Sequence, residues 1–227
     1  MNVMVNGLLA AMVVAIFTLT LFPQISQAFN PETNGAYYRG NANNKNVAPM
    51  INVYWGAEYL DGILKVLADE NVHITFFVGG SWAAANDSYV LKIRDAGHEI
   101  GNHGYYHKDH KLISETRNKE EIFITHKLIE SIAGVSMTLF APPSGSFNKT
   151  TVRAASNLGY KTIMWSKDTI DWRDKDTELV YTRATKSLKN GDLILMHPTA
   201  HTLEALPRII KTIKEQGFKI TTVSETL

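Results

Sequence analysis

The strongest constraint on the fold is an alternation of short β-branched runs with amphipathic stretches, which continues from residue 50 to the C-terminus. Seven runs have the length and composition of buried strands, at residues 50–54, 73–78, 98–100, 138–141, 161–165, 193–196 and 218–223. Six amphipathic helices are predicted between them, at residues 58–68, 88–96, 114–133, 149–158, 177–189 and 202–216. Repeated strand and helix units imply right-handed crossovers between parallel strands. The sequence therefore predicts an α/β fold, either a βα barrel or an open doubly wound sheet.

The N-terminus is a different kind of sequence. Residues 1–31 carry no charged side chain, and residues 7–22 are nearly continuously apolar. Such a segment is typical of an export signal, and Ser26 and Ala28 are small residues of the kind that a signal peptidase recognises. It lacks the usual Lys or Arg, and with residues 1–5 it approaches the roughly 20 residues of a membrane crossing. We expect a cleaved signal peptide, a membrane anchor or a buried helix at residues 1–28, and an exported protein.

Residues 29–47 are rich in Asn and Gly, which predicts a linker. Residues 48–227 are then one domain of about 180 residues, a normal size for a single core. With 23 basic and 22 acidic side chains, a net charge of +1 and no basic run, the 227-residue chain is a poor candidate for nucleic-acid binding. The absence of cysteine leaves histidine and carboxylate as the natural metal ligands.

Polar residues that follow the predicted strands are the candidates for chemistry, because the active sites of both architectures lie at the carboxyl ends of parallel strands. His103 and His107 follow the third strand and are four residues apart. That spacing places both side chains on one face of a helical turn, where two imidazoles can bind a zinc-like ion. Solvated or core histidines would give the same pattern.

Three more groups follow strands. His197 comes directly after the apolar run at residues 193–196, which makes it a candidate general acid or base, with a core histidine as the alternative. Asp168 and Asp171 could orient an imidazole, and Trp165 and Trp172 beside them could form an apolar wall for a sugar.

The Pro-rich segment at residues 141–145, with the sequence APPSG, predicts a rigid turn. Its backbone N–H groups could face a developing oxyanion. Pro143 and Ser144 are therefore candidate substrate-binding residues.

Taken in order along the chain, these motifs resemble the polysaccharide deacetylase family, the NodB-type carbohydrate esterases. The family's HxxxH, RPPYG, DxxDW and final LxLxH-type motifs resemble HGYYH at 103–107, APPSG at 141–145, DTIDW at 168–172 and LILMH at 193–197. ITFFV at 74–78 and GHEIGNH at 97–103 are also similar to family segments. The resemblance spans nearly everything from residue 49 to the C-terminus.

The resemblance implies a distorted (β/α) barrel that removes N-acetyl groups from amino-sugar polymers such as chitin or peptidoglycan. It implies a divalent metal, zinc or cobalt, held by His103, His107 and an aspartate, and a neighbouring aspartate that acts as general base. In such a mechanism the metal polarises the amide carbonyl, its water attacks, and His197 protonates the departing amine.

The first motif departs from the family pattern. It is normally TFDDG, but residues 50–56 read MINVYWG and contain no carboxylate. Alignment on the strand places Asn52 at the base and Val53 at the metal aspartate, and we prefer this register because the Trp-Gly ending matches one branch of the family. Alignment on Gly56 gives Tyr54 and Trp55 instead. An amide cannot take up a proton near neutral pH, and loss of a general base typically costs about 10² to 10⁴ in rate.

Two further positions bear on the altered motif. Ala141 replaces the motif arginine that steadies the base aspartate in the family, and an arginine without its carboxylate would be a partly buried unpaired charge. His110 would join His103 and His107 on one face if the helical turn continued, so we consider it as a replacement third ligand or as a surface histidine.

Two functions of different classes remain open. One is a weakened metal-dependent N-deacetylase of a cell-wall amino-sugar polymer, with a weakly bound metal. The other is a catalytically inactive saccharide-binding protein that keeps the groove. In both cases we expect an amino-sugar polymer as partner, no nucleic acid, a monomer, and a location outside the cell membrane or tethered to it.

Overall fold

A parallel sheet forms the centre of residues 34–227, which are the residues that a computed structural model of the chain describes. Its eight strands are β1 Asn46–Val53, β2 Thr75–Val78, β3 Glu99–Asn102, β4 Leu139–Phe140, β5 Lys161–Thr162, β6 Lys167–Asp168, β7 Leu193–Met196 and β8 Lys219–Ile220. The strand order is β5-β4-β3-β2-β1-β7-β6, and β8 pairs with the beginning of β1. The curled sheet is a distorted, incompletely closed (β/α) barrel, as the family resemblance implies.

Helices surround this sheet in the described part of the chain. Their bounds are α1 Ala57–Asp69, α2 Gly80–Ala85, α3 Asp87–Asp95, α4 Glu115–Ala133, α5 Lys149–Asn157, α6 Asp171–Asp174, α7 Thr177–Thr185, α8 Ala200–Glu215 and α9 Val223–Thr226. The predicted signal peptide, anchor or helix at residues 1–28 lies outside the described residues. Within residues 34–227, no helix combines the length and the apolar character needed to cross a membrane.

Strand β1 organises the core because it is buried along nearly its whole length and pairs with β2, β7 and β8. Successive side chains of a strand point to opposite faces. Met50 accordingly packs in the cluster inside the barrel, together with Phe77 of β2. Ile51 and Val53 pack in the larger cluster under the helices. A strand buried on both faces is typical of parallel α/β sheets and explains its continuous apolar sequence.

The segment predicted as a linker belongs in large part to the folded unit. Tyr37 N–H donates to Thr162 O at 2.8 Å, and Met164 N–H donates to Tyr37 O at 2.8 Å, so residue 37 extends the β5 side of the sheet. Two residues later, the Arg39 guanidinium binds the buried carboxylate of Asp192 just before β7. The linker prediction for residues 29–47 is therefore corrected for residues 37–47, while residues 29–33 lie outside the described residues. Asn and Gly make the backbone turns here, but ladder hydrogen bonds and one ion pair hold the segment.

Most predicted helices agree with the observed ones to within a few residues, and α4 shows why. The Ser114 side chain accepts a hydrogen bond from Arg117 N–H at its beginning, and Gly134 ends it with a left-handed φ of +66°.

Helix α2 was not predicted, because it begins at a glycine pair, which is typical of a loop. Those glycines are needed for close approach, since a Cβ on Gly79 would lie 2.3 Å from the Tyr54 ring, and one on Gly80 would lie 2.3 Å from the Tyr105 ring. The predicted strands 161–165 and 218–223 are shorter than expected, with the latter interrupted before α9.

The contact between Arg39 and Asp192 yields a stability prediction. Arg39→Met removes the charged donor from a carboxylate whose side chain is only 1% exposed. We expect the free energy of unfolding in urea to fall by about 1–3 kcal/mol, because hydrogen bonds to charged groups are among the stronger ones. Arg208→Met is the matched control, since its surface pair with Glu178 has side chains 51% and 67% exposed and should contribute much less. Equal losses in the two variants would contradict a structural role for residues 37–40.

Candidate functional site

A groove of about 500 Å³ lies at the carboxyl ends of the strands. Its lining residues are Asn52, Tyr54, Trp55, His103, His107, Ser144, Trp165, Asp168, Trp172, Leu195 and His197. Eight of the ten site residues predicted from the sequence are therefore in one place. The other two, Pro143 and Asp171, do not line the groove, and Asp171 acts through a neighbour.

His103 and His107 meet in the groove, but in a loop rather than in the helical turn that their spacing predicted. Their ring centroids are 5.2 Å apart with an interplanar angle of 71°. His107 has a left-handed φ of +53° and Gly104 one of +69°, and neither value fits a helix. The HxxxH spacing thus predicted the proximity of the two imidazoles and misassigned the backbone that produces it.

Side chains bind the N–H groups that a helix would have satisfied. Glu121 of α4 is fully buried, and its Oε2 accepts from Tyr105 N–H at 2.9 Å and from Tyr106 N–H at 2.6 Å. Asn102 Oδ1 accepts from Gly104 N–H at 2.9 Å. Arg117 binds the other oxygen of Glu121 at 2.7 Å, which compensates its buried charge. These contacts fix the loop against α4.

His103 is held as a neutral imidazole. It is 2% exposed, and its Nδ1 lies 2.7 Å from Ala141 O, so Nδ1–H donates to that carbonyl and Nε2 keeps its lone pair. Burial, and next the neighbouring His107, lower the pKa of His103 to about 3. The pKa of His107 is also lowered, chiefly by burial.

Asp171 orients His197 from behind. Asp171 is 1% exposed, and its Oδ1 accepts from His197 Nδ1–H at 2.8 Å and from Trp172 N–H at 2.9 Å. Its Oδ2 accepts from His197 N–H at 2.6 Å and from Thr202 Oγ1–H at 2.5 Å. This arrangement fixes the ring and its tautomer and leaves Nε2 of His197 for the groove, where it can donate or accept a proton.

Asn52 is the residue of β1 that faces the base of the groove. It is 4% exposed, and its Oδ1 is buried without a hydrogen-bond partner among the described residues. Val53 is fully buried in the cluster under the helices, so its side chain does not take the place of a metal ligand. Tyr54 also lines the groove, with its ring centroid 4.8 Å from that of His107 and its hydroxyl 2.7 Å from Ser81 Oγ. Both candidate base positions, 52 and 54, thus reach the groove.

The turn after β4 has fewer free donors than predicted. Gly145 N–H donates to Pro142 O and Ser146 N–H donates to Pro143 O, both at 3.0 Å. Within the described residues, Ser144 N–H is the one of these three without such a bond, so at most this donor can face a ligand. Ala141 itself is fully buried and contributes only its carbonyl to His103.

His110 matches neither of its two predicted roles. It is fully buried, not on the surface, and its Nδ1 lies 2.7 Å from Asn118 Oδ1 while its ring packs on Phe140. Among residues 34–227 its Nε2 has no hydrogen-bond partner, and it lies against Gly104, where a Cβ would approach it to 2.9 Å. The helical turn that would have aligned it with His103 and His107 is absent, and His110 packs behind the loop.

The donor set does not fit a resident catalytic zinc, which normally has three protein ligands. Across residues 34–227, no group of three or more His, Cys, Asp or Glu side chains is placed to hold a metal ion. His103 and His107 provide two imidazoles, but Asn52 adds only a neutral amide.

Aromatic rings form much of the groove wall, and one of them was missed from the sequence. Trp55 stacks on the His197 imidazole with centroids 5.8 Å apart and planes at 7°. Trp172 is 53% exposed and Trp165 lines the same groove. In the sequence, Trp55 served only to choose an alignment. Its place directly after a strand was the signal that could have identified it.

Three of the seven non-glycine residues with a positive φ in the described part of the chain lie at or beside the groove. His107, Ser144 and Ile170 have φ values of +53°, +54° and +52°, and a left-handed β-branched residue such as Ile170 is unusual. Ile170 N–H donates to Asp168 Oδ1 at 2.9 Å, which ties the strained residue to a groove carboxylate. Such strain persists only where the surrounding structure enforces it.

The lowered pKa of His103 predicts acid sensitivity. Below pH 6.5 the unfolded chain takes up a proton on this imidazole, while the folded protein does not until about pH 3. The free energy of unfolding therefore decreases as the pH is lowered from 6.5 to about 3. We expect His103→Gln to reduce this slope by up to about 1.4 kcal/mol per pH unit. Urea denaturation at several pH values measures it, and Leu179→Ala, which removes no titratable group and lies at an exposed position, should retain the wild-type slope. An unchanged slope in His103→Gln would show that this imidazole is not held neutral.

Comparison with known proteins places this geometry in a family. The polysaccharide deacetylase family profile matches residues 39–163, a range that contains Asn52, His103, His107 and Ser144. The uncharacterized protein YlxY of Bacillus subtilis is 42% identical over 190 residues, which are 84% of this chain and 60% of that protein. The chain thus spans less than two thirds of that relative. A peptidoglycan-N-acetylglucosamine deacetylase of Bacillus cereus is 31% identical over 175 residues, which are 74% of this chain and 82% of that protein.

Solved structures similar to this chain belong to the same family. The crystal structure of a CE4 family pseudoenzyme from Bacillus anthracis has a TM-score of 0.82 and 39% identity, covering 84% of this chain and 68% of that one. A mutant of the same pseudoenzyme with restored enzymatic activity also has a TM-score of 0.82, with 38% identity over 84% of this chain and 70% of that one. From the groove motifs, the family profile and these relatives together, the chain belongs to the polysaccharide deacetylase family.

Proposed function

We propose that this protein binds an amino-sugar polymer of the peptidoglycan or chitin type in the groove, and that its own N-deacetylase activity is suppressed. The observation that carries the proposal is the buried amide of Asn52, whose Oδ1 has no hydrogen-bond partner among the described residues. The preferred alignment places this residue at the family's base carboxylate. An amide has no basic site near neutral pH, so the residue cannot activate a nucleophile.

Amide hydrolysis needs a nucleophile, polarisation of the carbonyl, and a proton for the departing amine. The proton for the departing amine can come from His197, because Asp171 orients this ring toward the groove. The second rests on Ser144 N–H, since the donor set does not fit a metal and deacetylases of this family are generally metal-dependent. The first lacks its carboxylate, because Asn52 has no basic site and His197 is assigned to the amine. A site that offers a proton donor and at most one donor to the carbonyl, but no carboxylate base, supports binding better than turnover.

The groove has the aromatic surfaces and polar groups that binding of a sugar polymer requires. Exposed Trp172, with Trp55 and Trp165, provides flat apolar surfaces of the kind that pack on sugar rings. Polar groups at the base of the groove supply hydrogen bonds that orient a ligand. The similarity to a peptidoglycan deacetylase and to a pseudoenzyme supports both the ligand class and the suppressed activity.

Residual deacetylation is the second candidate, favoured by the intact contact between Asp171 and His197. An oriented His197 can protonate a departing amine, which is a step of turnover. The same contact also fixes the groove wall, so it is compatible with binding alone.

We infer further that the domain works as a monomer on the outer side of the membrane. The charge-free residues 1–31, of the export-signal type, support this location, as does the wall polymer that the relatives' names indicate.

Restoring a carboxylate tests the site. We expect Asn52→Asp to raise acetate release from N-acetylglucosamine oligomers and from peptidoglycan, with zinc or cobalt added, by at least about tenfold over the wild type. The gain falls short of the full value of a general base because Ala141 cannot steady the new carboxylate. His197→Ala in the Asn52→Asp background should abolish the gain, and Tyr54→Asp is the matched control without gain. Robust wild-type turnover that His197→Ala abolishes would reject suppressed activity.

Removing an aromatic wall tests binding. Trp172→Ala should weaken the binding of an N-acetylglucosamine hexamer by about tenfold, because a well-packed aromatic contact is worth more than about 1 kcal/mol. Isothermal titration calorimetry measures this. Leu179→Ala is the control, since Leu179 is 41% exposed but does not line the groove. An equal effect of both variants, or none of either, would place the glycan elsewhere.

A further inference from the structure

The groove offers hydrogen-bond acceptors and no permanently cationic side chain. None of its eleven lining residues within the described chain is Lys or Arg, and Asp168 is the one carboxylate. Oδ1 of Asp168 accepts from Ile170 N–H at 2.9 Å, and no hydrogen bond from a described residue reaches its Oδ2. Such a surface favours a ligand group that donates hydrogen bonds and carries positive charge.

The charge of Asp168 is not cancelled by a neighbouring arginine. Arg173 is the arginine whose field reaches Asp168, but its Nε lies 2.6 Å from Asp174 Oδ1. Arg183 binds the other oxygen of Asp174 at 2.6 Å. Within the described residues, Asp174 engages both guanidinium groups and Asp168 has no ion-pair partner.

The unpartnered Oδ1 of Asn52 is a second acceptor, deeper in the groove. Asn52 is 4% exposed, and leaving a buried acceptor without a donor costs about 1–3 kcal/mol. An N–H from a ligand would remove that cost. An acetamido group offers this oxygen a single neutral N–H, whereas an ammonium group offers three N–H donors and a positive charge.

The walls complement the base of the groove. Trp55 lies flat on the His197 ring, and Trp172 presents much of its surface to solvent. Together with Trp165 and Tyr54 they surround the acceptors with aromatic faces. Ammonium groups bind such faces through their quadrupoles.

We propose that the groove recognises the protonated amine of a de-N-acetylated glucosamine residue in preference to its N-acetylated form. The inference rests on the proposed function, because it names the state of the amino-sugar polymer that the groove selects. Three N–H donors and a positive charge meet Asn52 Oδ1, Asp168 and the aromatic walls. An N-deacetylation carried out by another protein must supply this ligand, and the protein then acts as a reader of deacetylated wall polymer.

Calorimetric titration of the full-length protein with two hexamers tests the proposal. The glucosamine hexamer, at a pH below the pKa of its amines, should bind at least about tenfold more tightly than the N-acetylglucosamine hexamer, since a charge-assisted hydrogen bond is roughly twice as strong as a neutral one. Equal or tighter binding of the acetylated hexamer would overturn the inference and leave the proposed function standing. Absence of binding to both would overturn the proposed function itself.

Controls separate a specific site from general attraction to a polycation. The net charge of the chain is +1, so the protein as a whole does not attract cations. A lysine hexamer should not compete, and equal competition would overturn the inference. Asp168→Asn and Asn52→Leu should each reduce the preference for the amine to less than about threefold, while Asp61→Asn, a surface carboxylate outside the groove, should retain it. The wild-type ratio of the two hexamers decides the question even if Asn52→Leu does not fold.

Discussion

The alternation of side chains along β1 is the constraint on which the site depends. The strand is paired on both sides and buried on both faces, so Met50 and Asn52 must face the barrel interior while Ile51 and Val53 face the helices. A polar group at the base of the groove can therefore come from position 52 but not from its neighbours in the strand. The chemistry of this one side chain sets what the base of the groove can do, and no small shift of the strand can replace it.

The altered residues around the groove are consistent with one another electrostatically. In the preferred alignment with the family, Asn52 stands at the base carboxylate and the fully buried Ala141 at the motif arginine, so both partners of a charged pair are absent. Breaking a buried ion pair by removing one partner is strongly destabilising, whereas replacing both can be neutral. The remaining charge is ordered: Asp171 takes four hydrogen bonds, and Glu121 is matched by Arg117 and two backbone N–H groups. The buried carboxylates Asp171 and Glu121 thus hold the shape of the groove, and its base carries the neutral amide of Asn52.

Much of this arrangement could be predicted from sequence, and the failures have physical causes. Strand and helix periodicity predicted parallel βα units, and the family resemblance favoured the barrel over an open sheet. The carboxyl ends of parallel strands brought His103, His197 and Asp168 together. The His103 loop was misread because its N–H groups are bound by Glu121, which is distant in sequence and resembles an ordinary helix residue. Residues 37–40 read as a linker because backbone pairing with residues 162 and 191 leaves no mark on composition. His110 and Trp55 depended on tertiary packing that spacing does not encode.

The hydrogen bonds around Asp171 have a consequence for how a ligand enters. They tie α6 to α8 and prevent the His197 ring from turning, and Trp55 covers one face of that ring. These contacts hold the wall in its binding shape before a ligand arrives. Binding of a glycan would therefore cost little conformational entropy of the protein. Differences in affinity between sugars should then lie mainly in their dissociation rates.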